Sequence, residues 1–77
     1  MISSEIDDAI LAVVQPSWRK VAMIIAQAAD NLGDDLPNDE TGLNLIADRI
    51  AALVRDGRLV AQGDIANWRS SEIRLPL

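Results

Sequence analysis

Ser70, Ser71 and Glu72 stand together near the end of the chain, and a serine beside a carboxylate is the smallest beginning of a nucleophile with its base. Nothing completes it. The sequence has no histidine, no cysteine and no tyrosine, so the near-neutral acid–base group, the thiolate nucleophile and the phenol are all missing. Lys20 is the only lysine. If residues 70–72 lie in a strand, neighbouring side chains point to opposite faces, and Ser71 and Glu72 do not meet. The acids Asp34, Asp35, Asp39 and Glu40 offer oxygen ligands in one loop. They lack the alternating acids, central glycine and terminal glutamate of the helix–loop–helix calcium motif, and read as a solvated, helix-capping loop. The expectation is a protein that is not an enzyme, with no cofactor, no metal and no small-molecule substrate.

Two binding readings remain. Asn44, Arg55 and Arg69 are the candidates for contact with DNA, because a helix reading the major groove needs polar side chains on its outer face and arginines near the phosphates. Charge argues against this reading. The net charge is −5, with residues 1–40 contributing −6 and residues 41–77 contributing +1. Asp48 also falls among Asn44 and Arg55 on the same helical face, whereas nucleic-acid domains carry a basic patch or stripe. The other reading is a protein partner, or a second copy of the chain, held by Val60, Ile65 and Trp68, with Trp68 near the hairpin loop equally suited to fold back over the molecule's own core. Tryptophan is enriched at interface hot spots, and Trp18 and Trp68 are the only aromatic residues.

The elements that position these residues follow from periodicity. At 77 residues, 49% of them hydrophobic, the chain holds one domain, residues 1–77, around one core. In "EIDDAILAVV", Ile6, Ile10, Val13 and Val14 share one helical stripe, and Pro16 stops the helix. Ser17 reads as the cap of a second helix, "WRKVAMIIAQAADNL", in which Trp18, Val21, Ile25, Ala28 and Leu32 follow the helical period. Arg19 and Lys20 then sit in its first turn, where cations oppose the helix dipole. Asn38, Asp39 and Thr41 are the possible caps of a third helix, whose stripe is Leu43, Ile46, Ile50, Leu53 and Val54. Gly57 closes it. Residues 58–62 and 69–75 alternate apolar and polar and are expected to pair antiparallel, with a loop or a single helical turn between them. Glu72 is then placed to bond across the strands to Arg58 or Gln62.

Three helices followed by a β-hairpin make an α+β domain of winged-helix-like architecture. The strings "WRKVA", "DRIAALVRDGRL", "QGD" and "SEIRL", in this order, resemble a family of uncharacterised bacterial domains with an Asp-Gly-Arg signature, here Asp56, Gly57 and Arg58. The resemblance spans most of residues 7–75. It implies a short winged-helix-like fold and a bacterial origin, and some of those relatives look like C-terminal modules of larger chains; it brings no activity. The start, "MISSEIDDAILAVV", has no basic n-region and so does not read as a signal peptide. No apolar run approaches the roughly 20 residues of a membrane helix, and a chain without cysteine suits a reducing compartment. The expectation is a cytoplasmic interaction domain, with a DNA-binding regulator as the second reading.

Overall fold

A computed structural model of the chain describes residues 3–37 and 39–76. Its elements in chain order are α1 (Ser3–Leu11), β1 (Arg19–Lys20), α2 (Val21–Leu32), α3 (Glu40–Arg55), β2 (Val60–Gln62) and β3 (Glu72–Arg74), with 3₁₀ turns at Gly33–Asp35 and Trp68–Ser70. The class is α+β. Regular helix in α1 stops at Leu11, before the expected Val14, but the chain keeps turning. The Ala12 amide donates to the Asp8 carbonyl and the Val14 amide to that of Ile10. Ile6, Ile10 and Val14 are therefore buried along one side.

The main departure from the sequence reading is at the start of α2. That helix was expected from Trp18 behind a Ser17 cap; it begins at Val21. Arg19 and Lys20 are extended and form β1. Two effects favour this. The two cations escape a helical first turn, where they would oppose the dipole. Their backbone also finds a partner, since β1 pairs antiparallel with β3, Arg19 opposite Ile73 and Lys20 opposite Glu72. Lys20 stands at the N-cap with no side-chain cap bond, and the Val21 amide donates instead to the Ser71 carbonyl at 3.0 Å. One of the four otherwise orphaned donors of the helix start is thus satisfied from across the fold. Trp18 accordingly leaves the expected buried stripe and is 37% exposed. Val21, Ile24, Ile25 and Ala28 carry the stripe instead.

α3 is closed at both ends by the local chemistry its sequence implies. Of the three expected caps, Asn38 lies outside the described residues. Asp39 is the cap, its Oδ1 accepting from the Thr41 amide at 3.0 Å. At the other end Gly57 has φ 81°, a left-handed conformation that costs glycine little. The Gly57 amide donates to the Val54 carbonyl at 3.1 Å and the Arg58 amide to that of Leu53 at 2.9 Å, the paired bonds of a Schellman stop.

β2 and β3 pair antiparallel, with Val60 opposite Arg74, Ala61 opposite Ile73 and Gln62 opposite Glu72. The sheet order is β1-β3-β2, so the expected two strands gain a third. Alternation sends Leu59, Ala61, Ile73 and Leu75 inward, with Leu59 and Ile73 almost fully buried and Ala61 and Leu75 packed at the margin. The three helices pack on one another, and their shared interior, Ile10, Val21, Ile24, Ile25, Ile46, Ile50 and Leu53, is at most 1% exposed. Among the described residues, no helix is long and apolar enough to cross a membrane.

Candidate functional site

The residues set aside for a partner are split by the fold. The connection between β2 and β3 does not project from the domain. Asp64 opens it with an Asx turn, its Oδ1 accepting from the Ala66 amide at 3.0 Å. The 3₁₀ turn Trp68–Ser70 then lies against α2. Ile65 and Trp68 are partly buried and pack on the molecule's own core. Val60 faces the opposite way, on the outer surface of the sheet. Trp68 supports the core, one of the two places open to it, whereas Trp18, expected in the buried stripe of α2, meets solvent.

Of the residues set aside for DNA, Asn44 and Arg55 are exposed on one stripe of α3, with the exposed carboxylate of Asp48 in the same stripe. Arg69 is engaged within the domain. Its Nη2 donates to Glu40 Oε1 at 3.0 Å, and its guanidinium lies 4.1 Å from the centre of the Trp68 ring, a cation–π distance.

The serine–carboxylate neighbours separate as strand alternation requires. Ser71 is buried, and its hydroxyl donates to the Trp68 carbonyl at 3.4 Å. Glu72 is on the outer face, accepting from Gln62 Nε2 at 3.3 Å. In the acidic loop, Asp39 caps α3 and Glu40 pairs with Arg69. Among the described residues, no group of three or more histidine, cysteine, aspartate or glutamate side chains is placed to hold a metal ion. An open groove of about 890 Å³ runs beside this loop, between α2 and the start of α3. Asp30 and Asp34 line it together with Leu36 and Leu43, which makes it a solvated acidic surface.

The outer face of the sheet is the most distinctive surface. The strand register sets two rows across it. Trp18, one position before β1, continues the register opposite Arg74, and Arg74 faces Val60. The Arg74 guanidinium is 4.9 Å from the centre of the Trp18 ring, and Arg74 Nη1 donates to the Leu75 carbonyl at 3.2 Å. Behind this row lies a second, Lys20, Glu72 and Gln62. Lys20 and Gln62 are exposed, and Glu72, Arg74 and Val60 partly so. Sequence reasoning reached Val60 but missed Trp18, Lys20 and Arg74 as its neighbours. The signal was there: two cations at the supposed start of a helix argue for a later helix and an extended lead-in. No protein-family model, curated protein or solved structure matches the chain.

Proposed function

We propose that this chain is a non-enzymatic protein–protein interaction domain that binds through the outer face of its sheet. The observation that carries the reading is the row Trp18, Arg74 and Val60, in which an exposed tryptophan is held by an arginine guanidinium beside an aliphatic residue. Tryptophan and arginine are the residue types most enriched at interface hot spots, and a ring already held in place loses less freedom on binding. Ile65 and Trp68, set aside for the same role in the sequence, pack on the core instead and are not part of this surface. The absence of histidine, cysteine and tyrosine speaks against catalysis. The resemblance to the bacterial Asp-Gly-Arg domains supports a bacterial origin, and a chain without cysteine suits a cytoplasmic setting.

The element order and the β1-β3-β2 sheet also suit a winged helix, and Asn44 and Arg55 are exposed on α3. These favour the second reading, a DNA-binding regulator. It ranks below the first because Asp48 shares that stripe, Arg69 is tied to Glu40 and fold alone is weak evidence of function.

The test is a photo-crosslinking residue at Gln62, used in the cells the protein comes from. The expected result is discrete adducts that disappear when Trp18→Ala is added. Absence of adducts, or adducts indifferent to Trp18→Ala, overturns the reading.

A further inference from the structure

We infer that the outer sheet face is self-complementary and that its occupant is a second copy of this chain, packed face to face across a two-fold axis. The inference rests on the interaction reading above and adds the identity of the partner and the orientation of the contact. The argument is geometric. Closed homo-oligomers most often use isologous two-fold contacts, in which one patch meets itself. A face built of two rows has two simple ways to do this. An axis parallel to the strands sets Arg74 against Arg74 and Glu72 against Glu72, which is repulsive at both places. An axis in the plane of contact and perpendicular to the strands exchanges the rows.

The second arrangement removes both repulsions. Arg74 of each copy falls opposite Glu72 of the other, giving two ion pairs related by symmetry. Trp18 falls opposite the other copy's Lys20, a second cation for a ring that already carries Arg74 at 4.9 Å. Val60 falls opposite Gln62. The registers Trp18–Arg74–Val60 and Lys20–Glu72–Gln62 fix this matching, because each row holds one residue of opposite character to its counterpart in the other. The charge of the whole chain, −5, opposes association. The face itself is locally balanced to positive, with Lys20, Arg74 and Glu72 as its charged groups. Trp18, Lys20 and Gln62 on this face are exposed to solvent.

Size sets the strength. Three strands about 4.8 Å apart, two or three residues long at about 3.3 Å per residue, make a sheet of at most about 15 by 10 Å. That is well short of the roughly 800 Å² per partner of a standard stable complex, so the pair is a transient one.

Charge reversal tests it on the whole chain. Sedimentation equilibrium runs from about 10 µM to about 1 mM, the range in which a small contact is populated. The wild type is expected to associate across that range, less so at high salt. Arg74→Glu sets a second carboxylate opposite Glu72, and Glu72→Arg sets a second guanidinium opposite Arg74, so each variant alone is expected to stay monomeric. An equimolar mixture of the two restores both ion pairs and is expected to associate as the wild type does. Far-ultraviolet circular dichroism confirms that both variants, which alter only solvent-facing strand positions, remain folded. A wild type that stays monomeric to about 1 mM, single variants that associate like the wild type, or a mixture that does not associate, each overturns the inference. A monomeric wild type whose Gln62 adducts persist in cells removes the second copy alone and leaves the interaction reading standing. Loss of both removes both.

Discussion

Arg49 on α3 holds Asp7 on α1 by two hydrogen bonds, Nε to Oδ1 at 2.9 Å and Nη2 to Oδ2 at 3.0 Å. It is a bidentate fork between helices distant in sequence, partly sheltered from water, and it ties α1 to α3. The hydrogen bond to Asp7 is the main cause of a guanidinium pKa raised above its ordinary value, against a smaller opposing effect of burial. A raised pKa contributes stability that is complete below the unfolded value and is lost only as pH rises through the folded one. The arginine half of the pair therefore stays intact throughout the neutral and mildly alkaline range.

Only the planar fork of arginine meets both carboxylate oxygens. Arg49→Lys is expected to lower the melting temperature by a few degrees, and Asp7→Asn by a similar amount. The two changes together should cost clearly less than the sum of the singles, as for any pair in direct contact. Thermal denaturation of the four proteins checks this. Additive losses would show that the two residues are not energetically coupled.

Ile50 is 0% exposed at the centre of the three-helix interior. Ile50→Ala is expected to cost about 2–5 kcal/mol through lost transfer energy and the cavity left behind, much of the stability of so small a domain. Met23, 48% exposed on α2, is the control. Met23→Ala should stay within about 0.5 kcal/mol of wild type. Urea unfolding of both measures the contrast, and similar losses for the two would place the core elsewhere.

Gly42 lies in the first turn of α3 and is buried. A Cβ there would run into the carbonyl oxygen of Pro37 and press on the Leu36 side chain. In an exposed helix, Gly→Ala gains up to about 1 kcal/mol. Here the sign is expected to reverse, Gly42→Ala destabilising by about 1–3 kcal/mol as an overpacked site. Chemical denaturation decides the sign.

Random duplex DNA is expected not to bind below about 10 µM at near-physiological salt, tighter than the weak end of non-specific binding. The reasons are the −5 net charge, Asp48 within the α3 stripe and an Arg69 already paired with Glu40. Fluorescence anisotropy with a labelled duplex measures this. A salt-sensitive rise at micromolar protein would promote the regulator reading.

What the sequence determined by itself is what local periodicity encodes. The 3.6-residue rhythm placed Ile10, Val21, Ile25, Ile46, Ile50 and Leu53 inside, and all six are. The two-residue rhythm paired residues 58–62 with 69–75 and sent Ile73 inward; the ladder forms only at Val60–Gln62 and Glu72–Arg74, because Trp68–Ser70 takes a 3₁₀ turn instead. Gly57 marks the end of α3, and Asp39, one of three possible caps, its start, because a cap and a left-handed stop act within a few bonds of their own positions. A periodic pattern reports which side of an element is apolar; it does not report which distant backbone completes it. Trp18 fits the helical period of α2 as well as any core residue, yet it stands outside. The strand beside it exists only because Ile73 and Glu72, far along the chain, supply its hydrogen bonds. The same holds for the burial of Ser71, whose carbonyl serves the first amide of α2, for the Arg49–Asp7 fork and for the glycine required at position 42. Trp68 turns inward for the same reason, since its turn lies against α2 and its side chain packs on the assembled core. Tertiary packing thus decided which tryptophan faces water, because a two-residue strand and a loop have no stability of their own and take the conformation the rest of the fold completes.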